Sequence, residues 1–329
     1  MSEHIQKITS QMPPFLDNLS LAMTEMKKVI VGQEHMLQSL FIALLSDGHV
    51  LIEGLPGLAK TLTVTTFSKV LQCDFTRVQF TPDLLPGDLI GTSIFNPKEG
   101  TFSINKGPIF TQVLLVDEIN RAPAKVQSAL LEVMAEKQVT ISGETFPVKS
   151  PYLVLATQNP IEQEGTYPLP EAQTDRFMLK IKIGYPSKED EKIILQNMGT
   201  TAAKPVPKGV LSPEFILETR KLVNEVYVDE KVENYILDLI CATRDPKKYG
   251  LKIDDWLMYG ASPRASIALK LASRAHAFLS GRAFVTPYDV QRVGNDILCH
   301  RLRRSYEAEA EEISTEKIIE ILFKTIPAP

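Results

Sequence analysis

The sequence predicts an α/β fold with a parallel sheet, followed by a second, all-helical domain. Short apolar runs rich in β-branched residues alternate with helical or loop segments in the first half of the chain. This alternation is typical of parallel sheets whose strands are buried on both faces. After Tyr185-Pro186 the strand candidates stop and helical segments with clear starts take over. The predicted strands are residues 50–53, 75–80, 113–116, 152–157 and 178–183.

Length and composition fit two globular domains of ordinary make-up. The chain has 329 residues, of which 44% are hydrophobic and 23% charged, and its net charge is −4. Because a domain usually holds roughly 100–150 residues, two domains are expected. The charge gives no sign of a nucleic-acid-binding surface. We predict a core at residues 1–190, a linker region at 191–210 and a helical domain at 211–329.

Cysteine use and the amino-terminal segment predict a cytoplasmic protein. Cys73, Cys241 and Cys299 are far apart and lack the spacing of metal ligands or of a disulfide framework. Residues 1–18 are polar and contain Pro13-Pro14, which is unlike a signal peptide. No stretch of the sequence approaches the length of a transmembrane helix, so no membrane association is expected.

The first predicted strand leads into a glycine-bearing loop, Gly54-Leu55-Pro56-Gly57-Leu58-Ala59-Lys60-Thr61. A strand, such a loop and a following helix form the arrangement that cradles a nucleoside triphosphate, although residues 62–71 fit strand or helix by propensity. Lys60 is expected to reach the outer phosphates, and the Thr61 hydroxyl to hold Mg²⁺. Ala59 stands where the common pattern has its second glycine, and an ordinary strand-to-helix turn is the alternative.

A pair of acidic residues follows a later apolar strand. Val113-Leu114-Leu115-Val116 ends in Asp117-Glu118, and the carboxyl ends of parallel strands face the ligand crevice. Asp117 can hold the Mg²⁺ shell through water, and Glu118 can polarise the attacking water. A solvated strand end is the alternative for such residues. With the phosphate loop upstream, hydrolysis is the better interpretation.

Another polar end follows the strand at residues 154–157, namely Gln158-Asn159-Pro160. This strand could lie beside the one that carries the phosphate loop. An amide there could orient water against the terminal phosphate, whereas Asn-Pro as a simple turn former is the alternative.

Two insertions interrupt the α/β pattern. Residues 83–110 and 138–150 each contain turn residues between short β-prone runs, which predicts surface β-hairpins. Between them, Pro123 to Lys137 is predicted to be a helix. Its apolar face is formed by Val126, Leu130, Val133 and Met134.

The carboxyl-terminal part begins with a proline-containing linker at residues 201–213. Helix starts are predicted where a capping hydroxyl precedes proline, at Ser212-Pro213, Ser262-Pro263 and Thr286-Pro287. Arg264 falls in a first helical turn, where the helix dipole disfavours a cation. It therefore suggests a compensating anion such as a phosphate, with a plain surface arginine as the alternative. The buried positions predicted here are Leu222, Val226, Ile236, Leu239, Ile240, Leu271, Phe278 and Ile297, and the arginines Arg301, Arg303 and Arg304 are predicted to form a solvated face.

Taken together, these residues resemble the AAA+ ATPases, and more narrowly their MoxR family. The resemblance extends from about Val29 to the last helix, and alanine before the lysine of the phosphate loop is usual in it. It rests on an ordered set of motifs: Val29-Ile30-Val31-Gly32-Gln33, Gly54 to Thr61, Leu115 to Ala122, Ala156 to Pro160, Pro170 to Phe177 and Gly260-Ala261-Ser262-Pro263-Arg264.

The resemblance implies a complete set of ATP-binding residues. Val31 and Gln33 would line the adenine pocket, while Thr61 and Asp117 would hold Mg²⁺. The whole implied set is Val31, Gln33, Gly54, Leu55, Pro56, Gly57, Leu58, Ala59, Lys60, Thr61, Leu62 and Asp117.

The catalytic residues implied are Glu118, Asn159, Arg176 and Arg264. Asn159 would be the sensor-1 residue, and Arg264 the sensor-2 arginine that reaches the nucleotide from a helical lid. Arg176 would be the finger offered to the ATP of the neighbouring subunit. The two hairpins match the helix-2 insert and the pre-sensor hairpin of this branch, and a hexameric ring would follow.

The function implied is that of a Mg-ATP-hydrolysing chaperone or remodelling factor. Its partners would be client proteins, commonly with a von Willebrand factor A domain protein, during maturation of or cofactor insertion into enzyme complexes. A nucleic-acid motor of the same branch is one alternative, which the mixed charges of the hairpins (Lys98, Glu99, Lys106, Glu144 and Lys149) disfavour. The other alternative is a ring that ATP holds together without turnover.

Overall fold

The computed structural model describes residues 2–98, 100–160, 166–201 and 203–329. The strands are, in chain order, β1 (Val50–Gly54), β2 (Phe75–Gln79), β3 (Gly91–Asn96), β4 (Thr101–Lys106), β5 (Val113–Asp117), β6 (Gln138–Ile141), β7 (Glu144–Pro147), β8 (Leu153–Gln158), β9 (Leu179–Ile183), β10 (Leu257–Tyr259) and β11 (Arg303–Arg304). The α-helices are α1 (Ser2–Gln11), α2 (Pro13–Lys27), α3 (Glu34–Leu45), α4 (Lys60–Val70), α5 (Pro86–Ile90), α6 (Ala124–Glu136), α7 (Glu171–Thr174), α8 (Lys188–Met198), α9 (Pro213–Glu225), α10 (Glu230–Arg244), α11 (Pro263–Leu279), α12 (Pro287–Leu298), α13 (Tyr306–Ala310) and α14 (Thr315–Thr325).

The central sheet has five strands in the order β2–β5–β8–β1–β9. Every neighbouring pair is parallel, with Val50 opposite Leu155 and Val113 opposite Leu153. All of β5 is buried, and so is nearly all of β8, which explains why both appear in the sequence as continuous apolar runs. The predicted five-stranded parallel sheet is confirmed, and β8 does lie beside β1.

The segment after the phosphate loop is helical. Helix α4 begins at Lys60 and buries Val64 and Phe67 completely. Parallel strands need a long crossover connection, usually a helix, to return to the same edge of the sheet. This requirement overrides the β-branched composition that left residues 62–71 ambiguous.

Both predicted hairpins are present. Strands β3 and β4 pair antiparallel with Phe95 opposite Phe102, and β6 pairs antiparallel with β7. The ammonium of Lys106 lies 5.0 Å from the ring centroid of Phe110 and 4.7 Å from that of Phe146. This cation joins the bases of the two hairpins through its contacts with both rings.

The helical starts predicted from Ser-Pro and Thr-Pro are confirmed. The Ser212 hydroxyl accepts from the Phe215 amide at 3.2 Å, and the Ser262 hydroxyl accepts from the Arg264 amide at 3.2 Å. Thr286 forms a capping box at the start of α12. The predicted helix at Pro123 to Lys137 is α6, and its four predicted apolar residues are buried.

The predicted helical second domain is confirmed, and it also contains short extended pairings that were not predicted. Strands β10 and β11 pair antiparallel, and Tyr227 forms an isolated bridge with Phe284. Pairings of two or three residues leave no alternating pattern that sequence analysis can detect. Leu271 is half-buried, whereas the other seven predicted core positions are buried.

The end of the predicted linker is bonded to the core. The amides of Val210 and Leu211 donate to the Val70 carbonyl at 2.8 and 3.0 Å, and the Lys208 amide donates to Glu25 Oε2 at 3.0 Å. These contacts attach the chain to α2 and α4 just before α9. The domain boundaries at residues 190 and 210 stay a prediction.

The three cysteines are free thiols, as predicted. Burial raises the pKa of Cys73 to about 11 and that of Cys299 to about 12, so neither thiol is activated at neutral pH. Within the described residues, no helix is both long and apolar enough to cross a membrane.

The predicted helical domain at residues 211–329, called the lid below, contains a buried charged cluster formed by α11, α12 and the connection between them. Asp289 accepts from two Arg282 nitrogens at 2.5 and 2.7 Å, and lies 2.6 Å from His276 Nδ1. It also accepts from the Thr286 amide at 2.7 Å. Burial opposes ionisation of Asp289, but these hydrogen bonds outweigh it and hold the pKa of the carboxyl below its usual range.

We expect Asp289→Ala to lower the free energy of unfolding by about 3 kcal/mol, because it leaves Arg282 and His276 without their shared carboxylate. A carboxyl group whose pKa is lower in the folded than in the unfolded state stabilises the folded protein at neutral pH, and this contribution is lost as the pH falls. The difference between wild type and variant should therefore be constant near neutrality and shrink below about pH 4. Urea unfolding at several pH values measures it.

Asp17→Ala, on an exposed position of α2, is the matched control. It should change stability by less than about 0.5 kcal/mol at every pH. Equal effects of the two substitutions would contradict a structural role for the Asp289 cluster.

Candidate nucleotide-binding site

The phosphate loop connects β1 to α4 and has the backbone conformation of an anion cradle. Gly57 has a φ of 84°, and Ala59 has a φ of 57° with a ψ of 20°. Leu58 is buried between them and anchors the loop. Left-handed residues on either side of Leu58 turn successive backbone amide groups toward one side of the loop, where phosphate oxygens can accept hydrogen bonds from them.

Ala59 explains why the common pattern has glycine at this position. The left-handed conformation costs an L-residue roughly 1–2 kcal/mol, which glycine avoids. Alanine is the smallest side chain that carries this cost. The departure from the common pattern therefore leaves the geometry of the loop intact.

The Lys60 ammonium lies at the junction of two strands. It donates to the Gly54 carbonyl at the end of β1 and lies 3.4 Å from the Gln158 carbonyl at the end of β8. Both carbonyls belong to the edge of the sheet that faces the loop. The ammonium is thus held at the edge where the outer phosphates of a bound nucleotide are expected.

Asp117 is the centre of the polar contacts beneath the loop. Its Oδ1 accepts from Thr61 Oγ1 at 3.4 Å and from Thr157 Oγ1 at 3.2 Å. Its Oδ2 accepts from Arg77 Nε at 2.7 Å. The side chain is only 6% exposed, so these partners replace the water that the carboxylate has lost.

Glu118 turns away from the strand in a left-handed conformation, with a φ of 57°. Its amide donates to Thr157 Oγ1 at 3.0 Å. Its Oε2 accepts from Gln79 Nε2 at 2.7 Å and from an Arg121 nitrogen at 3.0 Å. Strained backbone that the surroundings enforce is typical of functional positions, and it directs this carboxylate into the cleft.

These groups line a cleft of about 360 Å³, a volume in the usual range for small-molecule sites. Its walls combine the phosphate loop with the ends of β2, β5 and β8. The lining residues are Pro56, Gly57, Leu58, Ala59, Lys60, Thr61, Leu62, Arg77, Gln79, Asp117, Glu118, Thr157 and Asn159. The structure therefore brings together most residues predicted to bind nucleotide, together with Glu118 and Asn159.

The donors fit a magnesium ion that accompanies a triphosphate. Mg²⁺ prefers oxygen ligands and usually takes only one or two from the protein, with phosphates and water completing its shell. The Thr61 hydroxyl and the Asp117 carboxylate are such oxygens and lie within reach of each other. In the part of the chain that the structure describes, no cluster of three or more His, Cys, Asp or Glu side chains offers another metal site.

Val31 and Gln33 are outside this lining. Gln33 Nε2 is 3.4 Å from the carbonyl of Gly184, directly after β9, which pairs with β1. Gly32 has a φ of 66°, and a Cβ there would lie 2.8 Å from Asp190 Oδ2 at the start of α8. Their place in an adenine pocket stays a prediction.

The two predicted catalytic arginines are absent from the lining of their own chain's cleft. An Arg176 nitrogen donates to the Leu131 carbonyl on α6 at 2.5 Å. An Arg264 nitrogen lies 3.5 Å from Asp175 Oδ2, and its side chain is 56% exposed. The anion near the first turn of α11 is thus a carboxylate of the core, next to Arg176 in the chain.

Three lining residues were missed from the sequence, namely Arg77, Gln79 and Thr157. Arg77 and Gln79 are two apart on β2, so they lie on the same face of a strand adjacent to β5. That spacing was visible, but only the sheet order shows that the face meets Asp117 and Glu118.

Arg301 was interpreted wrongly. Its side chain is 3% exposed, in contrast to the predicted solvated face, whereas that of Arg303 is 52% exposed. The run of arginines and acidic residues resembled a surface because sequence analysis cannot show which core segment covers Arg301.

A second and larger hollow, of about 660 Å³, is lined by Arg301 and by residues next to it in the chain. Its cations have acidic partners, so the smaller cleft remains the better nucleotide site on chemical grounds.

Family profiles match both parts of this arrangement. The profile of the ATPase family associated with various cellular activities (AAA) matches residues 49–179, which contain the phosphate loop and the central sheet up to the first residue of β9. The profile of the AAA lid domain matches residues 254–322, within the helical carboxyl-terminal part.

Known proteins resemble the chain over nearly its whole length. The chaperone MoxR1 of Mycobacterium tuberculosis is 48% identical over 312 residues, which cover 94% of this chain and 82% of that protein. The protein MoxR of Paracoccus denitrificans is 32% identical and covers 92% of this chain and 93% of its own. A crystal structure of a Cytophaga hutchinsonii protein has a TM-score of 0.91 and 47% identity, with 98% of each chain covered. The chain belongs to the MoxR family of AAA+ ATPases.

Proposed function

We propose that this protein is an ATP-hydrolysing chaperone that works as a ring and remodels partner proteins. The observation that carries the proposal is one cleft that joins the phosphate loop, Lys60, Thr61, Asp117 and Glu118. Each group has the chemistry that its part of hydrolysis needs. The cytoplasm, where free cysteines stay reduced, is the proposed location.

ATP binding is assigned to the loop and its flanking strands. The amides of the loop and of the first turn of α4 donate hydrogen bonds to the phosphates, and Lys60 exchanges its carbonyl contacts for phosphate oxygens. Thr61 and Asp117 would hold Mg²⁺, whose positive charge offsets that of the phosphates when it is bound. Val31 and Gln33 would contact the adenine beyond the end of β9.

Hydrolysis is assigned to Glu118 and Asn159. Glu118 accepts a proton from the attacking water, and the bonds from Gln79 and Arg121 hold its carboxylate in place. Asn159 lines the same cleft at the end of β8 and orients the water against the terminal phosphate.

The remaining positive charge would come from a neighbouring subunit. Arg264 pairs with Asp175, Arg176 donates to the Leu131 carbonyl, and neither lines the cleft of its own chain, so we assign both to the nucleotide of another copy. An arginine supplied in trans accelerates phosphoryl transfer by roughly 10³–10⁵-fold. A closed ring, hexameric as the family resemblance implies, gives every cleft such a neighbour.

The client is proposed to be a protein. Phe95 and Phe102 are 50% and 73% exposed, and their ring centroids lie 5.1 Å apart on the first hairpin. Exposed aromatic side chains are enriched in protein interfaces. A similar protein is named a chaperone, and we extend this to a von Willebrand factor A domain partner and a task in maturation or cofactor insertion.

The nucleic-acid motor is disfavoured by how the hairpin lysines are engaged. Lys106 lies over two aromatic rings, and Lys149 pairs with Asp74 at 2.7 Å. Glu99 lies outside the described residues. We expect no binding to a single-stranded oligonucleotide in fluorescence anisotropy at low salt. Binding that weakens steeply with added salt would support the motor instead.

The first prediction for the site concerns turnover. ATP hydrolysis per subunit should rise with protein concentration, because assembly supplies the arginine from the neighbour. Glu118→Gln should lower kcat by about 10²–10⁴-fold through loss of the general base. Arg176→Ala should lower it by about 10³–10⁵-fold. Phosphate release measured over a series of protein concentrations tests all three statements.

Either variant should keep its ability to bind ATP and to assemble, as monitored by sedimentation. Flat specific activity in the wild type, untouched by Arg176→Ala, would refute the shared site. Tight ATP binding without turnover at any concentration would support the ring that nucleotide holds together without hydrolysis.

A second prediction concerns binding alone. Lys60→Ala should weaken ATP binding roughly 10–100-fold, because a charged hydrogen-bonding group contributes about 1.5–3 kcal/mol. A fluorescent ATP analogue titrated against Glu118→Gln protein, with and without the substitution, measures binding in the absence of hydrolysis. Lys69→Ala, at an exposed position of the same helix, is the matched control and should bind as the parent does. Equal affinity of all three proteins would move the nucleotide away from this loop.

A further inference from the structure

Arg301, just beyond α12, is buried against the core segment that carries Arg176. Its Nε donates to Asp175 Oδ1 at 2.7 Å, and one terminal nitrogen donates to the carbonyls of Asp175 and Phe177 at 3.1 and 2.7 Å. The other terminal nitrogen donates to the carbonyls of Met178 and Ile297 at 3.0 and 2.6 Å. The acceptors thus come from residues on both sides of Arg176.

Other groups of the lid bind the same segment. The His300 ring lies with Nε2 3.0 Å from the Phe177 carbonyl, and burial holds its pKa well below the usual range, so it is neutral and can donate there. The Ser262 hydroxyl, which caps α11, donates to Asp175 Oδ2 at 2.9 Å. The beginning of α11 and the end of α12 therefore converge on residues 175–178.

The guanidinium is suited to hold a backbone in one position. It is planar and presents its donors in a rigid fork, so several bonds to one segment fix both its distance and its angle. Lysine keeps the charge but has a flexible stem and a single nitrogen. Arg301 makes four hydrogen bonds to residues 175–178, whereas Ser262 and His300 make one each.

We infer that Arg301 is a positioning residue for the arginine finger: it fixes Arg176 to the lid, so that lid and finger reach the neighbouring nucleotide as one body. The inference rests on the proposed function, because it assigns the trans role to Arg176. Arg301 itself touches neither the cleft of its own chain nor the reacting atoms. Its effect is carried through the main chain at Asp175, Phe177 and Met178.

The test is Arg301→Lys in the full-length chain. A misplacement of about 1 Å can cost about 10²-fold in rate, so we expect kcat to fall by about that factor. The KM for ATP should be unchanged, because the phosphate loop and Lys60 are intact. Ring assembly in sedimentation and thermal unfolding are measured on the same samples.

Mixed rings separate positioning in trans from damage within the variant subunit. Arg301→Lys protein is combined with an excess of Glu118→Gln protein, which carries an intact finger and whose own slow hydrolysis is measured separately and subtracted. Each Arg301→Lys cleft then receives an undamaged neighbour, and hydrolysis per Arg301→Lys subunit should recover. Damage to the variant's own cleft would not be repaired by this neighbour.

Two controls calibrate the recovery. Arg303→Lys makes the same exchange two residues away, at an exposed arginine paired with Glu171 at 3.0 Å, and should leave kcat unchanged. Arg176→Ala mixed with Glu118→Gln shows how much recovery the ring permits. Should Arg301→Lys fail to fold, Asp175→Asn is the second variant, since it keeps the shape of the side chain and removes its charge. It is expected to show the same kcat loss and the same recovery.

The outcomes distinguish the positioning role of Arg301 from the shared site of the proposed function. Recovery of Arg176→Ala without recovery of the folded Arg301→Lys or Asp175→Asn variant overturns the positioning role and leaves the proposed function standing. Unchanged kcat in those variants, with Arg176→Ala inactive, does the same. If ATP hydrolysis recovers in none of the mixtures, including that of Arg176→Ala with Glu118→Gln, the shared site is refuted, and the positioning role with it.

Discussion

The parallel register of β5, β8 and β1 determines where every group of the cleft lies. Val116 is opposite Ala156, and Ile52 is opposite Thr157, so the three strands end at one level of the sheet. Thr157 can therefore bond to both Asp117 and the Glu118 amide. A slip of one residue would move these side chains to the opposite face. Because both faces of β5 and β8 are buried, the same slip would force Val, Leu and Ile side chains into space already packed by others, so the hydrophobic core also enforces the geometry of the site.

The cleft stores strain at the two positions where the chain must change direction sharply. Ala59 and Glu118 both have left-handed backbones, which cost roughly 1–2 kcal/mol each. Their neighbours Leu58 and Ile119 are buried, and burial of such side chains contributes about 1.5–3 kcal/mol each. Packing can thus hold both turns before any ligand arrives. The anion cradle and the carboxylate are preorganised, which is what electrostatic catalysis requires.

The sequence was sufficient to predict those elements of the fold that depend on local patterns. The five strands, the hairpins and the proline-led helices depend on alternation, turn residues and capping hydroxyls within a few residues of each other. The contacts of Arg77 with Asp117 and of Arg301 with Asp175 join residues 40 and 126 positions apart, and no local pattern encodes them. Asp117 and Glu118 could be placed at the cleft from the sequence because strand ends carry positional meaning in a parallel sheet, and their roles stay a prediction. Burial of an arginine carries no such signal.

The junction of lid and core contains one ion pair that is costly to break and one that is not. A buried pair such as Arg301 with Asp175 adds little stability over apolar packing, yet removing one partner strands a buried charge at a cost of about 3–5 kcal/mol. The pair of Arg264 with Asp175 spans 3.5 Å, and its arginine is half-exposed, so it contributes at most about 1 kcal/mol. Under the proposed function, a phosphate bound to a neighbouring subunit would draw Arg264 away from Asp175, while Arg301 would keep residues 175–178 attached. The two arginines share one carboxylate but differ in burial, and this difference separates a permanent attachment from an exchangeable contact.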